Sequence, residues 1–241
     1  MKTNCYSITF WYNPVDDFSE ILKDLQKLFK KEYSTFNINS VETDDFYNSV
    51  LFAINHKVQT NINISKIKLQ YTMDKVTSAN FQDFSEKCLK ILSIFNENNI
   101  KVLHSSVFTN MEFTVEEALK KVSTQLLSKN TSKNLIDVNL RISKVEDDMF
   151  YKIITILNKQ QIKLPNFVDD TGRNIPFPLI SWTNAIKEKE IIEASYELND
   201  RYSFDTEKNY ETTIFSLNKM LYIVKNFSNS DVEELLQSGK F

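Results

Sequence analysis

Glycine is almost missing from this chain: Gly172 and Gly239 are the only two in 241 residues. A phosphate-cradling P-loop and a dinucleotide fingerprint both need several closely spaced glycines, because only a residue without Cβ lets the backbone approach the phosphates. Both are therefore excluded. Histidine is equally scarce. With His56 and His104 alone, a multi-histidine zinc or iron site is excluded, and any Ser-His-Asp or Cys-His machinery must take one of these two as its base. His104 falls in the strand-like run Val102-Leu103-His104-Ser105 and is expected to be structural. Cys5 and Cys88 are too few for a disulfide framework and lack metal-ligand spacing. Both fall on apolar stripes and are expected to be packed thiols in a reducing cytosol.

Arginine is nearly absent as well. Arg141, Arg173 and Arg201 stand against a large excess of lysine, so the chain holds few planar forks suited to bidentate recognition of phosphate or carboxylate. The surplus of Lys, Asn and Ile over Arg, Gly and Ala is that of an AT-rich coding sequence, which points to a low-GC bacterium or one of its phages. A net charge of −3 and a pI near 5.6 give no general attraction to nucleic acid or to an anionic membrane. No window approaches the roughly 18 apolar residues that span a bilayer, and the first residues have no apolar core of signal-peptide length. A cytoplasmic protein is expected, with no cofactor and no metal.

What is present reads as strands and amphipathic helices. Tyr6, Ile8, Phe10 and Tyr12 alternate with Ser7 and Thr9, the period of a strand with one buried face. Phe18, Ile21, Leu22, Leu25, Leu28 and Phe29 then recur at helical spacing over residues 16–31, with acids in the first turn and lysines in the last. Strands are expected at 35–42 and 49–55, followed by a longer one over 56–71 whose phase slips near Ser65-Lys66, the mark of a bulge or bend. A second helix over 81–96 carries Phe84, Cys88, Ile91, Leu92 and Phe95. Asp17-Phe18-Ser19-Glu20 recurs as Asp83-Phe84-Ser85-Glu86, which raises the question of a duplicated strand–helix unit.

A strand over 101–113 leads to a capping box at Thr114–Glu117 and a third helix to about residue 127. Val138, Leu140 and Ile142 alternate in a strand that turns at Glu146-Asp147-Asp148 and pairs with 151–157. A long strand over 190–204 precedes a helix over 205–227 with Ile214, Leu217, Leu221 and Val224 inward, and a short last helix starts at Ser230. This order predicts an α+β fold, a mainly antiparallel sheet with four to five helices packed on it. Three regions are expected: residues 1–164, a connecting loop over 165–189, and a strand–helix unit over 190–241 packing on the same domain.

That loop gathers three of the four prolines and Gly172. Proline donates no N–H and Asp-Thr-Gly is turn chemistry, so the segment is irregular, and long irregular loops are often functional. Phe167, Arg173, Phe177, Leu179 and Trp182 place aromatic and arginine anchors of the kind that dominate protein interfaces in and just after it. The expected function is therefore non-enzymatic binding of another protein or self-association, as a subunit of a bacterial or phage system such as defence or counter-defence. One alternative is a metal-dependent nuclease or hydrolase using Glu146, Asp169 and Asp170, with Lys187 and Lys189 nearby. Another is a small-ligand-binding domain with a pocket beside the loop.

Overall fold

The computed structural model describes residues 2–30, 32–33, 37–38, 49–55, 60–74, 78–114, 139–163 and 186–228. Among the described residues nine strands form one sheet: β1 (Lys2–Tyr12), β2 (Asn37–Ile38), β3 (Ser49–Asn55), β4 (Thr60–Ser65), β5 (Lys68–Asp74), β6 (Val102–Thr114), β7 (Asn139–Glu146), β8 (Phe150–Lys163) and β9 (Ile186–Asn199). Their order is β2-β3-β4-β5-β1-β6-β9-β8-β7, and every pairing is antiparallel. Four helices accompany it among the described residues: α1 (Ser19–Leu28), α2 (Ser78–Glu97), α3 (Arg201–Thr206) and α4 (Ile214–Asn226). The fold is α+β with an antiparallel sheet.

One sheet face carries the core. In β1 the even residues Tyr6, Ile8, Phe10 and Tyr12 are all buried, as the alternation predicts. Register extends that face sideways: Ile8 lies between Tyr71 and Val107, and Val107 lies beside Leu198. Onto this face α2 lays Phe81, Phe84, Cys88, Ile91, Leu92 and Phe95, all buried. Packing is strongly aromatic, with Tyr6 edge-on to Phe81, Tyr71 stacked on Phe84, and Phe10 edge-on to Phe95. The helix ends where Asn99 takes a φ of 56° and Ile100 N–H reaches back to Phe95 O at 2.9 Å, the six-to-one bond of a Schellman cap. Asp17–Glu20 straddles the start of α1, whereas Asp83–Glu86 lies inside α2.

Several boundaries differ from the sequence reading for definite physical reasons. The predicted long strand over 56–71 is two strands, β4 and β5, joined by a tight turn at Lys66-Ile67 that has neither glycine nor asparagine. Its carbonyls are satisfied from outside, Ile67 O by Tyr12 N–H and Lys66 O by Val15 N–H. The predicted strand over 190–204 ends at Asn199 and its last residues turn into α3, so the predicted helix over 205–227 is confined to α4. Thr212 N–H bonds to Val102 O, and Thr213 begins α4 with a capping box in which Ser216 takes the place usually held by Glu or Gln. Ile214, expected inward, is 48% exposed, because it sits in the first turn with its face turned outward. Cys88 is fully buried, but Cys5 is only half-buried, since a register shift between Thr3 and Cys5 interrupts its strand pairing with β6. His56 and the helices expected at 114–127 and from 230 lie outside the described residues.

The turn at residues 146–149 is as expected. Asp147 and Asp148 hold φ of 54° and 50° and Met149 N–H bonds to Glu146 O, a left-handed pair that brings β8 back onto β7. Strand β9 is then inserted between β6 and β8, which makes the C-terminal strand part of the central sheet.

Candidate functional site

The second sheet face is not covered by α1, α2 or α4. It carries the out-of-phase residues of each strand, among them Trp11 on β1, His104 on β6, Glu197 and Asn199 on β9, Tyr151 and Ile153 on β8, and Arg141 and Ser143 on β7. Over one end of this face lies α3, tied down by Ser203, whose N–H and hydroxyl both donate to Met149 O at 3.3 and 3.2 Å. Tyr202 meets Tyr151 edge-on at 5.4 Å. Between α3 and the open face runs a cleft of about 740 Å³, within the range of small-molecule sites.

Its aromatic wall is a row. Trp11 stacks on His104 with centroids 4.4 Å apart and planes 25° from parallel, and Phe204 lies 5.5 Å beyond the imidazole. A bulge aligns the first pair. Trp11 is opposite His104, but Tyr12 is opposite Val102, so Leu103 is the extra residue. The shift lets Trp11 face the cleft while Tyr12 still turns into the core, the re-aiming role that bulges play beside functional sites.

The polar groups are asymmetrically satisfied. Asn199 Nδ2 and Ser106 Oγ both donate to Glu197 Oε1 at 3.0 Å, leaving Oε2 without a donor among the described residues. Asn199 is only 8% exposed, yet its Oδ1 has no hydrogen-bond partner there, and neither has the buried Nδ1 of His104. Buried polar atoms are nearly always paired, so such atoms beside a cleft mark a place where a ligand or water completes the bonding. Arg201 Nε lies 3.5 Å from Asp205 Oδ2. Arg141 is exposed, lines the same cleft and makes no ion pair among the described residues. Two of the chain's three arginines thus meet at one cleft.

Burial, with the positive charge of Arg201 nearby, pushes the His104 pKa down from 6.5 to about 4. The ring is neutral in the folded protein, so an unfolded chain binds a proton that the native one refuses. His104 therefore contributes stability that is complete above about pH 6.5 and is lost as pH falls toward 4. With solvent screening of this partly exposed ring allowed for, the loss is on the order of 1–2 kcal/mol. Thermal unfolding of wild type and His104→Phe between pH 7.5 and 4.5 checks this: the variant should lose less stability on acidification, and parallel pH curves would refute it.

No family model and no curated protein matches the chain.

Of the predicted site residues only Glu146 is among the described ones. Phe167, Arg173, Phe177, Leu179, Trp182, Asp169 and Asp170 lie outside the described residues. Glu146 ends β7 on the core-side face, where Lys144 and Lys152 sit 3.1 and 3.4 Å from Oε2; it is shared by two lysines and does not line the cleft. Among the described residues, no three His, Cys, Asp or Glu side chains are grouped so as to hold a metal ion, and no helix is long and apolar enough to cross a membrane. Sequence reasoning missed Trp11, His104, Glu197, Asn199 and Arg201 as a group. One signal was present: Trp11 stands on the polar phase of β1, where a large aromatic has no core to fill.

Proposed function

We propose that the chain is a ligand-binding domain whose open-face cleft takes a small bipolar molecule, with a flat ring at one end and an anionic group at the other. The observation that carries this reading is a pair of opposite charges, Arg141 and Glu197, that have no ionic partner among the described residues and flank an aromatic-lined cleft. Asp205 already balances Arg201. A simple anion would leave Glu197 unanswered, and a simple cation would leave Arg141 unanswered. They stand two strands apart across β8, roughly 10 Å sideways at ordinary strand spacing. Ile153, opposite Glu197 on β8, gives a floor for a ring, Tyr151 extends it beside Asn199, and Trp11 with His104 gives a wall to stack on. This reading takes precedence over docking of a protein partner, which rests on residues 165–182 alone, and over the carboxylate-based hydrolase, because Glu146 faces away from the cleft.

Calorimetric titration with a panel of mononucleotides, pterin carboxylates and other aromatic acids tests the reading, with Trp11 emission as a second signal. Charge-assisted hydrogen bonds contribute about 1.5–3 kcal/mol, so Arg141→Ala should weaken the bound member about 10–100-fold. The reading is abandoned if nothing in the panel binds, or if both Arg141→Ala and Glu197→Ala leave its affinity unchanged.

A further inference from the structure

The polar floor of the cleft narrows the ring's chemistry, given the ligand-binding reading above. Glu197 Oε2 and Asn199 Oδ1 are both acceptors. Asn199 Nδ2 is committed to Glu197 Oε1, which settles the side-chain amide with its oxygen as the free atom, and the residue is nine-tenths buried. Both lie on the same strand face, two residues apart on β9 and next to Ile153 and Tyr151 of β8. A ligand edge that meets this floor must present donors side by side.

Few flat rings do so. Adenine and cytosine each present an amino donor beside a ring-nitrogen acceptor, and that acceptor would face the carboxylate. Uracil and thymine present one N–H between two carbonyls. Guanine and pterin share a 2-amino-4-oxopyrimidine edge, with a ring N–H adjacent to an exocyclic NH₂, so two donors point the same way. We infer that the cleft recognises a 2-amino-4-oxopyrimidine ring carrying an anionic tail, with Glu197 and Asn199 reading the ring edge and Arg141 holding the tail. The neutral His104 stacks on Trp11 and offers its unpartnered Nδ1 to the ring or to a bound water.

Guanosine 5′-monophosphate, inosine 5′-monophosphate, adenosine 5′-monophosphate and pterin-6-carboxylate are titrated into the full chain by calorimetry. The guanine and pterin probes should bind. Inosine monophosphate, which lacks the 2-amino group, should bind at least tenfold more weakly, and adenosine monophosphate weaker still, since a site built on hydrogen bonds rejects an analogue that leaves its polar groups unpaired. Glu197→Gln should remove most of the preference for guanosine over inosine monophosphate with little change in melting temperature. Tighter binding of guanosine monophosphate than of the pterin assigns the source as a nucleotide, and the reverse assigns a pterin. Equal binding of adenosine, inosine and guanosine monophosphates that still depends on Arg141 overturns the inference while the ligand-binding reading survives. Failure of both guanine and pterin probes, with another aromatic acid bound in an Arg141-dependent way, has the same consequence. Silence across all probes overturns both.

Discussion

Replacing Asp200 with alanine is expected to lower stability by about 3 kcal/mol and the melting temperature by about 6–12 °C. Asp200 is fully buried between the end of β9 and the start of α3. Its carboxylate accepts from Ser105 N–H at 2.6 Å, from Thr212 Oγ1 at 2.8 Å and from the Tyr210 hydroxyl at 2.9 Å. These donors come from β6 and from the segment before α4, so one side chain ties three parts of the chain together. Alanine leaves the buried Ser105 N–H and Thr212 Oγ1 without this acceptor and also releases the half-buried Tyr210 hydroxyl, and unsatisfied buried groups cost more than the bonds themselves contributed.

The asparagine variant separates hydrogen bonding from charge. It keeps an oxygen for Ser105 N–H, and the two hydroxyls can turn to accept from its amide. Burial raises the Asp200 pKa above its ordinary 3.8, against the opposing pull of its hydrogen bonds. For a carboxylate whose folded pKa is raised, the contribution to stability is greatest at low pH and falls as pH rises from about 4 through the folded pKa. Asp200→Asn should therefore cost much less than Asp200→Ala at neutral pH and should flatten that part of the pH–stability curve. Equal losses for Ala and Asn would mean that the carboxylate charge itself holds the junction. Because Asn199 and Arg201 flank this residue, Asp200→Ala should also weaken whatever the cleft binds.

The elements legible in the sequence are those whose burial is local and one-sided. The stripe of α2 and the alternation of β1 are repeated several times within one element, so the period stands out, and the buried residues match it. The turn after Glu146 was legible because two adjacent aspartates tolerate left-handed backbone. The Lys66-Ile67 turn showed only as a phase slip near Ser65-Lys66 and not as a turn, because its stability comes from carbonyls taken up by Tyr12 and Val15, a tertiary contribution that no turn propensity encodes. The break between α3 and α4 has the same origin. Thr212 is drawn to Val102 and Asp200, and residues 207–213 follow those bonds instead of the helix their composition allows.

The cleft was hidden for a related reason. Its residues come one or two at a time from five strands and three from a six-residue helix, and within each strand they occupy the phase normally assigned to solvent. Only the register brings Trp11 against His104, and Ser143 and Glu197 to either side of Ile153. The scarcity of arginine was visible from the start, but it read as a reason to doubt anion recognition. Two of three arginines at one cleft reverse that inference: the groups suited to a carboxylate or phosphate are few and gathered in one place.

Phe84→Ala should be the most damaging single change in the core, at about 3–5 kcal/mol. Phe84 is wholly buried on the middle of α2, in contact with the rings of Tyr71 at 5.7 Å, Tyr6 at 5.6 Å and Phe81 at 6.1 Å. Removing its ring takes away the transfer energy of a large side chain and also opens a hole between three others that are held by their own strands and helix. Tyr6 is held by a hydrogen bond with Ser228 at 2.9 Å, so it has little freedom to fill the space, and the stacking of Tyr71 on Phe84 has no replacement. Phe84→Leu keeps much of the volume and should cost less, whereas Leu22→Ala on the half-buried flank of α1 should cost less again. Denaturant unfolding of the three variants checks this ranking. The cleft lies on the far face of the sheet from Phe84, so under native conditions Phe84→Leu should leave ligand affinity within about twofold, within the roughly 0.5 kcal/mol expected of independent sites. A larger shift would show that the core face controls the shape of the open face through the strands they share.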